Sequence, residues 1–214
     1  MINVLVVDDH DLVRTGIRRM LADVTGITVV GEADCGEEAL LRVRELRPDV
    51  VLMDVKMPGI GGMEATRKII RSHPSVKVIA VTACDEEPFP SRLLQAGVAG
   101  YLTKGAALEE MIKAIRQVFA GHRYISADIA QQLALKPFQA QREISPFEML
   151  SEREMQIALM IAECQKVQTI SDKLCLSPKT VNTYRYRIFE KLEITSDVEL
   201  AILAVRHGMV DVTT

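Results

Sequence analysis

The sequence predicts an α/β domain, a five-stranded parallel sheet doubly wound by helices, followed by an all-α domain of four helices. Three observations carry that expectation. Short apolar runs rich in β-branched residues alternate with amphipathic segments over residues 1–120, as strands buried on both faces alternate with crossover helices. Gly26, Pro48, Pro74 and Gly97 stand at the ends of these segments, where such residues stop a helix. After residue 146 every periodic segment has helical spacing and no strand candidate remains.

In order, the strand runs are Val4–Val7, Thr28–Val30, Val50–Met53, Val76–Val81 and Gly100–Leu102. The helical patterns between and after them are Asp11–Ala22, Glu37–Arg47, Met63–Ser72, Ser91–Ala96 and Leu108–Ala120, with Pro88 and Pro90 delaying the start of the fourth. Five βα units in succession imply right-handed crossovers and helices on both faces. Residues 121–146 read as linker: Ala127–Leu135 could form a short helix, but Lys136–Pro146 has two prolines and no apolar period. Residues 147–214 form the second domain.

Composition sets the bounds. A chain of 214 residues that is 48 % hydrophobic and 26 % charged can bury a core and is not disordered. Aromatics are 4 % and Trp is absent, so aliphatic residues and Met must fill the interior. The net charge of −3 offers no support for nucleic acid, and Ser151–Thr214 carries eight Lys and Arg against nine Asp and Glu. Any DNA-binding surface must therefore be a local arrangement. Cys35, Cys84, Cys164 and Cys175 have no CxxC spacing, so reduced, mostly buried thiols are expected. No basic leader precedes an apolar run, and no run reaches the length of a membrane span. A soluble cytoplasmic protein with no membrane partner is expected.

The chemistry lies at the strand ends. In a doubly wound sheet the carboxyl ends of the strands converge, and ligands bind there. Those ends supply Asp8 and Asp9 after the first strand, Asp54 after the third, Thr82 after the fourth and Lys104 after the fifth. A single Asp at a strand end is an ordinary cap or turn residue, and Asp9 or Asp11 could cap the helix opening near Leu12. Four strand ends each supplying a suitable group is a stronger signal. Three crowded carboxylates raise one another's pKa unless a cation neutralises them, and a hard ion such as Mg2+ meets that demand. An aspartate beside Mg2+ can attack phosphorus and form an acyl phosphate. Asp54 ends the central strand and is the better nucleophile, whereas the adjacent pair Asp8 and Asp9 suits a metal. Lys104 would offset charge on the transferred group, and Thr82 could hydrogen-bond one of its oxygens.

The motifs VLVVDDH, VVLMDVKMPGIGG, VIAVTA and AGYLTKG resemble those of the receiver domains of two-component response regulators, which have a flavodoxin- or CheY-like fold. The resemblance covers residues 1–120. It implies that Asp8, Asp9, Asp54 and the backbone carbonyl of Lys56 hold Mg2+, and that Asp54 is phosphorylated. It also implies that Thr82 and Tyr101 form a switch pair and that Lys104 contacts the phosphoryl group. Gly105 departs from the pattern, since many receivers carry Pro after the lysine.

Four helices follow, Glu152–Glu163, Val167–Leu174, Pro178–Leu192 and Asp197–His207. Ser151 with Glu154, and Ser196 with Glu199, have capping-box spacing, and Leu150 with Met155 can form a hydrophobic staple. Ser177-Pro178 places a cap before Pro at the first helical position. On the third helix Val181, Tyr184, Ile188 and Leu192 share a face for the core. Lys179, Asn182, Thr183 and Tyr186 share another, flanked by Arg185 and Arg187. A bland solvated helix could look similar, but the short preceding helix and the tight Leu176–Ser177 turn favour a helix-turn-helix that enters the major groove.

LSEREMQIALMIA and ISDKLCLSPKTVNTYRYRIFEKL resemble the LuxR-type output domain of the NarL/FixJ response regulators. That resemblance implies that Asn182, Thr183 and Tyr186 reach base edges, that Lys179, Arg185, Arg187 and Lys191 meet phosphates, and that Asp197–His207 pairs two protomers. The partners it implies are a hybrid sensor histidine kinase, double-stranded promoter DNA, RNA polymerase and, in the active state, a second copy of the chain. Cys164 replaces the usual glycine after the first helix and Lys166-Val167 the usual polar cap of the second, so an irregular turn is expected there. Tyr184 stands where many members have His.

The expected function is a transcription activator whose DNA binding is controlled by phosphorylation of Asp54, not an enzyme acting on separate substrates. One rival is an aspartate-nucleophile phosphotransferase acting on small molecules, but such enzymes carry a second Asp two residues after the nucleophile, where this chain has Lys56. The other is an adaptor whose C-terminal helices bind protein.

Overall fold

In the computed structural model, which describes residues 1–82, 89–135, 145–207 and 209–210, the apolar runs of the first half form one parallel sheet. Its strands are β1 (Ile2–Val7), β2 (Ile27–Ala33), β3 (Val50–Met53), β4 (Lys77–Thr82), β5 (Gly100–Thr103) and β6 (Tyr124–Ile125), in the spatial order β2-β1-β3-β4-β5-β6. The helices α1 (Asp11–Ala22), α2 (Gly36–Leu46), α3 (Gly61–Ser72), α4 (Phe89–Ala96) and α5 (Leu108–Phe119) connect them. The sheet therefore has six strands, not five. After α5 the backbone N–H of Tyr124 donates to the carbonyl of Ala99, and that of Ser126 to the carbonyl of Tyr101. Two residues pairing with a strand edge leave too short a run for hydrophobic periodicity to register. Ala127–Leu135 is a helix, α6, and 136–144 of the expected linker lie outside the described residues.

Alternation along the strands sorts the core into two layers. Val4, Val6, Val50, Leu52, Ile79, Val81 and Leu102 pack with Ile17 and Leu21 of α1 and with Met111, Ala114, Ile115 and Val118 of α5. The intervening Leu5, Val51, Met53, Val78 and Ala80 are equally buried on the opposite face, where α2, α3 and α4 lie. Helix α4 opens at Phe89 with Pro90 in its second position, two residues earlier than expected, because Pro is tolerated in a first turn. Pro88 and Cys84 lie outside the described residues.

The chain divides into two compact units, Met1–Ala140 and Gln141–Thr214. The second contains a short 3-10 turn (Pro146–Met149), then α7 (Glu152–Ala162), α8 (Val167–Leu174), α9 (Pro178–Leu192) and α10 (Asp197–Arg206). Its core is built from Phe147, Met155, Ile157, Ala158, Ile170, Leu174, Val181, Ile188, Leu192, Leu200 and Ala204. Caps set the helix starts. Ser151 and Glu154 complete a reciprocal capping box, and the Ser177 hydroxyl accepts from the backbone N–H of Thr180. At α10 the box is half formed: Ser196 accepts from Glu199 N–H, but the Glu199 carboxylate turns to the backbone N–H and hydroxyl of Thr195 instead of Ser196. Cys164 adopts a left-handed φ of 59°, the conformation a glycine would take more easily. The expected irregularity between α7 and α8 is thus one strained residue. Cys164 and Cys175 are exposed and Cys35 is half-buried, which corrects the expectation of mostly buried thiols. Both exposed cysteines sit at helix ends, where the chain turns out to solvent.

Candidate functional site

Strand register builds the acidic pocket. Val7 pairs with Met53 across β1 and β3, so the next residues, Asp8 and Asp54, leave the sheet side by side at the point where the strand order reverses. Thr82 pairs with Thr103, which brings Lys104 up from the far side. Its Nζ lies 2.7 Å from Asp8 Oδ2 and 2.9 Å from Asp54 Oδ2. Asp54 is 2 % exposed, and its other oxygen accepts from the backbone N–H of Lys56 at 3.3 Å. Thr82 and Tyr101 are buried at the ends of β4 and β5.

Burial pushes the Asp54 carboxyl up, the Lys104 ammonium pulls it back down and the Asp8 charge raises it again; the net direction is up. Burial acts on Lys104 to favour its neutral form, but hydrogen bonding and charge from Asp8 and Asp54 outweigh it, and its pKa is raised. Carboxylate oxygens of Asp8, Asp9 and Asp54 and a ring nitrogen of His10 lie within 4.8 Å of one another. Three carboxylates against one ammonium leave two negative charges, and their oxygens are hard ligands. That donor set fits a divalent ion of the Mg2+ type. His10 is the least apt ligand of the four: it is exposed, and its Nδ1 is already 2.9 Å from Asp9 Oδ1.

Two features of this pocket escape sequence reasoning. A Cβ on Gly62 would overlap the carbonyl oxygen of Asp54, so α3 can pass behind the aspartate only with glycine there. The Glu37 carboxylate of α2 accepts from the backbone N–H of Ile60 at 3.0 Å, bracing the loop that follows Asp54. Gly62 closes the motif VVLMDVKMPGIGG, but the reason for a glycine there, the approach of α3 to the Asp54 carbonyl, is visible only in the fold, and the Glu37 brace joins segments 23 residues apart.

In the second unit α8, the Cys175–Ser177 turn and α9 form the helix-turn-helix. The Ser171 hydroxyl donates to the Leu176 carbonyl at 2.6 Å and holds the turn. Val181, Ile188 and Leu192 are buried and Tyr184 is half-buried. On the opposite face Lys179, Thr183, Tyr186 and Arg187 are exposed, Tyr186 to 70 %, with Asn182 half-buried beside them. The cations do not all face outward unengaged. Arg185 makes two 2.7 Å hydrogen bonds to the Asp197 carboxylate and stacks over Phe189. Lys191 Nζ lies 2.6 Å from Glu154 Oε2. Along α10, Val198, Ile202 and Val205 are exposed at spacings of four and three, which is one helix face. Among the described residues no helix is long and apolar enough to cross a membrane.

Comparison with known proteins covers both units. Residues 4–116 match the response regulator receiver domain, and residues 148–204 match the bacterial regulatory proteins, luxR family. The chain is 78 % identical over 211 residues to the response regulator GacA of Pseudomonas aeruginosa, covering 99 % of each. It is 60 % identical to the response regulator UvrY of Escherichia coli, covering 100 % of this chain and 98 % of UvrY. Among solved structures, a LuxR-family two-component response regulator from Aurantimonas shares 38 % identity with a TM-score of 0.62, covering 64 % of this chain and 99 % of that one. RcsB from Salmonella enterica serovar Typhimurium, bound to promoter rprA in the presence of the phosphomimetic BeF3−, shares 25 % identity with a TM-score of 0.68, covering 96 % and 99 %.

Proposed function

We propose, for a chain that belongs to the response regulators with a LuxR-type output domain, that transfer of a phosphoryl group to Asp54 controls binding of α9 to promoter DNA and so activates transcription. The observation that carries this reading is the buried Asp54 held beside Asp8 and Lys104, in one chain with a helix whose exposed face mixes Lys179, Asn182, Thr183, Tyr186 and Arg187.

The donor is the phosphohistidine of a sensor kinase, of the hybrid type. A carboxylate oxygen of Asp54 forms the new bond to phosphorus while the bond to the histidine nitrogen breaks. That nitrogen leaves with the electron pair. Lys104 is already at Asp54 and is placed to offset charge on the incoming group, and Thr82 to hydrogen-bond it. Asp8, Asp9, Asp54 and the Lys56 carbonyl would hold Mg2+, which when bound neutralises charge on the phosphoryl oxygens. The chemistry ends on the protein's own aspartate: Lys56, two residues on, is exposed and supplies no general acid for a second substrate.

Phosphorylated protomers pair through the apolar face of α10, present two copies of α9 to successive half-sites and recruit RNA polymerase, all in the cytoplasm. The promoter-bound state of RcsB supports DNA as the partner. Two measurements test this. With Mg2+ and acetyl phosphate, intact mass should show one added phosphoryl group, absent in Asp54→Asn and suppressed by chelation; undiminished labelling of Asp54→Asn would refute the assignment. Footprinting should show specific DNA protection by the phosphorylated protein, relaxed at one position of each half-site in Asn182→Ala, since a bidentate contact discriminates by about 1–3 kcal/mol.

A further inference from the structure

Arg14 lies in α1, one turn beyond the acidic pair, and its side chain is only 14 % exposed. Its Nη1 donates to the backbone carbonyl of Asp8 at 2.6 Å, and its Nη2 to Asp11 Oδ1 at 3.0 Å. Its Nε lies 3.7 Å from Glu32 Oε2 at the end of β2, whose other oxygen is 3.1 Å from Arg18 Nε. One planar fork thus spans the end of β1, the first turn of α1 and β2. No sequence pattern singles this residue out; on a helical wheel it is one more cation.

Electrostatically the placement is paradoxical. A second fixed cation beside a pocket that already contains Lys104 opposes the binding of a divalent ion. The hydrogen bonds resolve the paradox, because the fork grips the main chain at Asp8 and not the carboxylates of the pocket. Fixing the Asp8–Asp9 peptide fixes the directions in which the two side chains leave it. The Asp8 carboxylate also accepts from His10 N–H at 2.9 Å, so both the main chain and the side chain of Asp8 are tied.

We propose that Arg14 is a positioning residue for the metal site: it locks the Asp8–Asp9 peptide so that both carboxylates converge on the ion. This rests on the reading that the pocket holds Mg2+. Outer-shell groups that orient ligands commonly affect metal affinity by about 10–100-fold.

The test is Mg2+ binding to the full-length, unphosphorylated protein by titration calorimetry. Arg14→Ala should raise the Kd about tenfold or more, although removal of a nearby cation acting through charge alone would lower it. Arg14→Lys keeps the charge but cannot span the three partners, so it should fall between wild type and Arg14→Ala and covers the case in which the alanine variant does not fold. At Mg2+ levels that saturate each variant, labelling of Asp54 by acetyl phosphate should return to near the wild-type rate. A wild-type or tighter Kd in Arg14→Ala, or a wild-type Kd in Arg14→Lys, overturns the positioning role while leaving the pocket assignment intact. Absence of Mg2+ binding by the wild type overturns both.

Discussion

At Asp54 the fold works against a charge. Its carboxyl is raised by burial and by Asp8, with Lys104 opposing, so in the metal-free protein the ionised form is less favourable folded than unfolded. This destabilisation is absent below the unfolded pKa, grows as pH rises through the folded one and is complete above it. Asp54→Asn should therefore melt higher than wild type in chelator at pH 7, and the gain should shrink as pH falls into the ordinary carboxylate range. Thermal melts of both proteins across pH check this; a lower melting temperature for Asp54→Asn at neutral pH would mean that the Lys104 pair outweighs burial. The identities of Asp8, Asp54, Thr82 and Lys104 were legible because each directly follows or ends a strand. Arg14 and Gly62 were not, because their roles exist only where another segment passes close by.

Among the elements, α9 separates two kinds of cation that look alike in sequence. Lys191 pairs with Glu154, a buried carboxylate whose pKa is held down by Lys191 and by the backbone of Ser151, although burial, the strongest single influence, acts upward. The net lowering means that this pair stabilises the unit above the unfolded glutamate pKa and that the stability is lost as pH falls through the folded one. Lys191→Met should lower stability by about 1 kcal/mol, a figure discounted for the exposed side of the pair, with the salt dependence of DNA binding little changed. Arg187 is exposed, and Arg187→Ala should leave stability alone and reduce the salt slope by about one. Denaturant melts and salt titrations on one operator distinguish the two outcomes. At the end of α7, Cys164→Gly should stabilise the second unit by roughly 0.5–1 kcal/mol by relieving the positive φ, measured by the same melts; a loss of stability would show that the thiol's packing outweighs the strain.

For the whole molecule, phosphorylation can control the second unit only by changing the relative free energies of two arrangements of the chain. If the unphosphorylated receiver keeps α9 from DNA, a fragment starting at Ser145 should bind an operator with no phosphodonor, while the intact chain binds appreciably only when Asp54 is phosphorylated. Gln141–Thr214 is a compact unit with a buried core of its own, from Phe147 to Ala204, which that fragment retains. Titrations at matched salt decide: equal affinities for the fragment and the unphosphorylated chain would end the occlusion model and leave dimerisation as the receiver's contribution.

The order of strands and helices, the buried faces, the caps at Ser151 and Ser177 and the pocket aspartates are encoded in local pattern, since a period of two or 3.6 and a capping residue act within a few positions of themselves. The sixth strand, the half-formed box at Ser196, the engagement of Arg185 and Lys191 and the grip of Arg14 on the Asp8 carbonyl are not. Each turns on a choice of partner that periodicity does not specify, whether four residues away, as Thr195 is from Glu199, or 37, as Glu154 is from Lys191, and a hydrogen bond or ion pair has a partner only once the backbone has brought the two ends within about 3 Å.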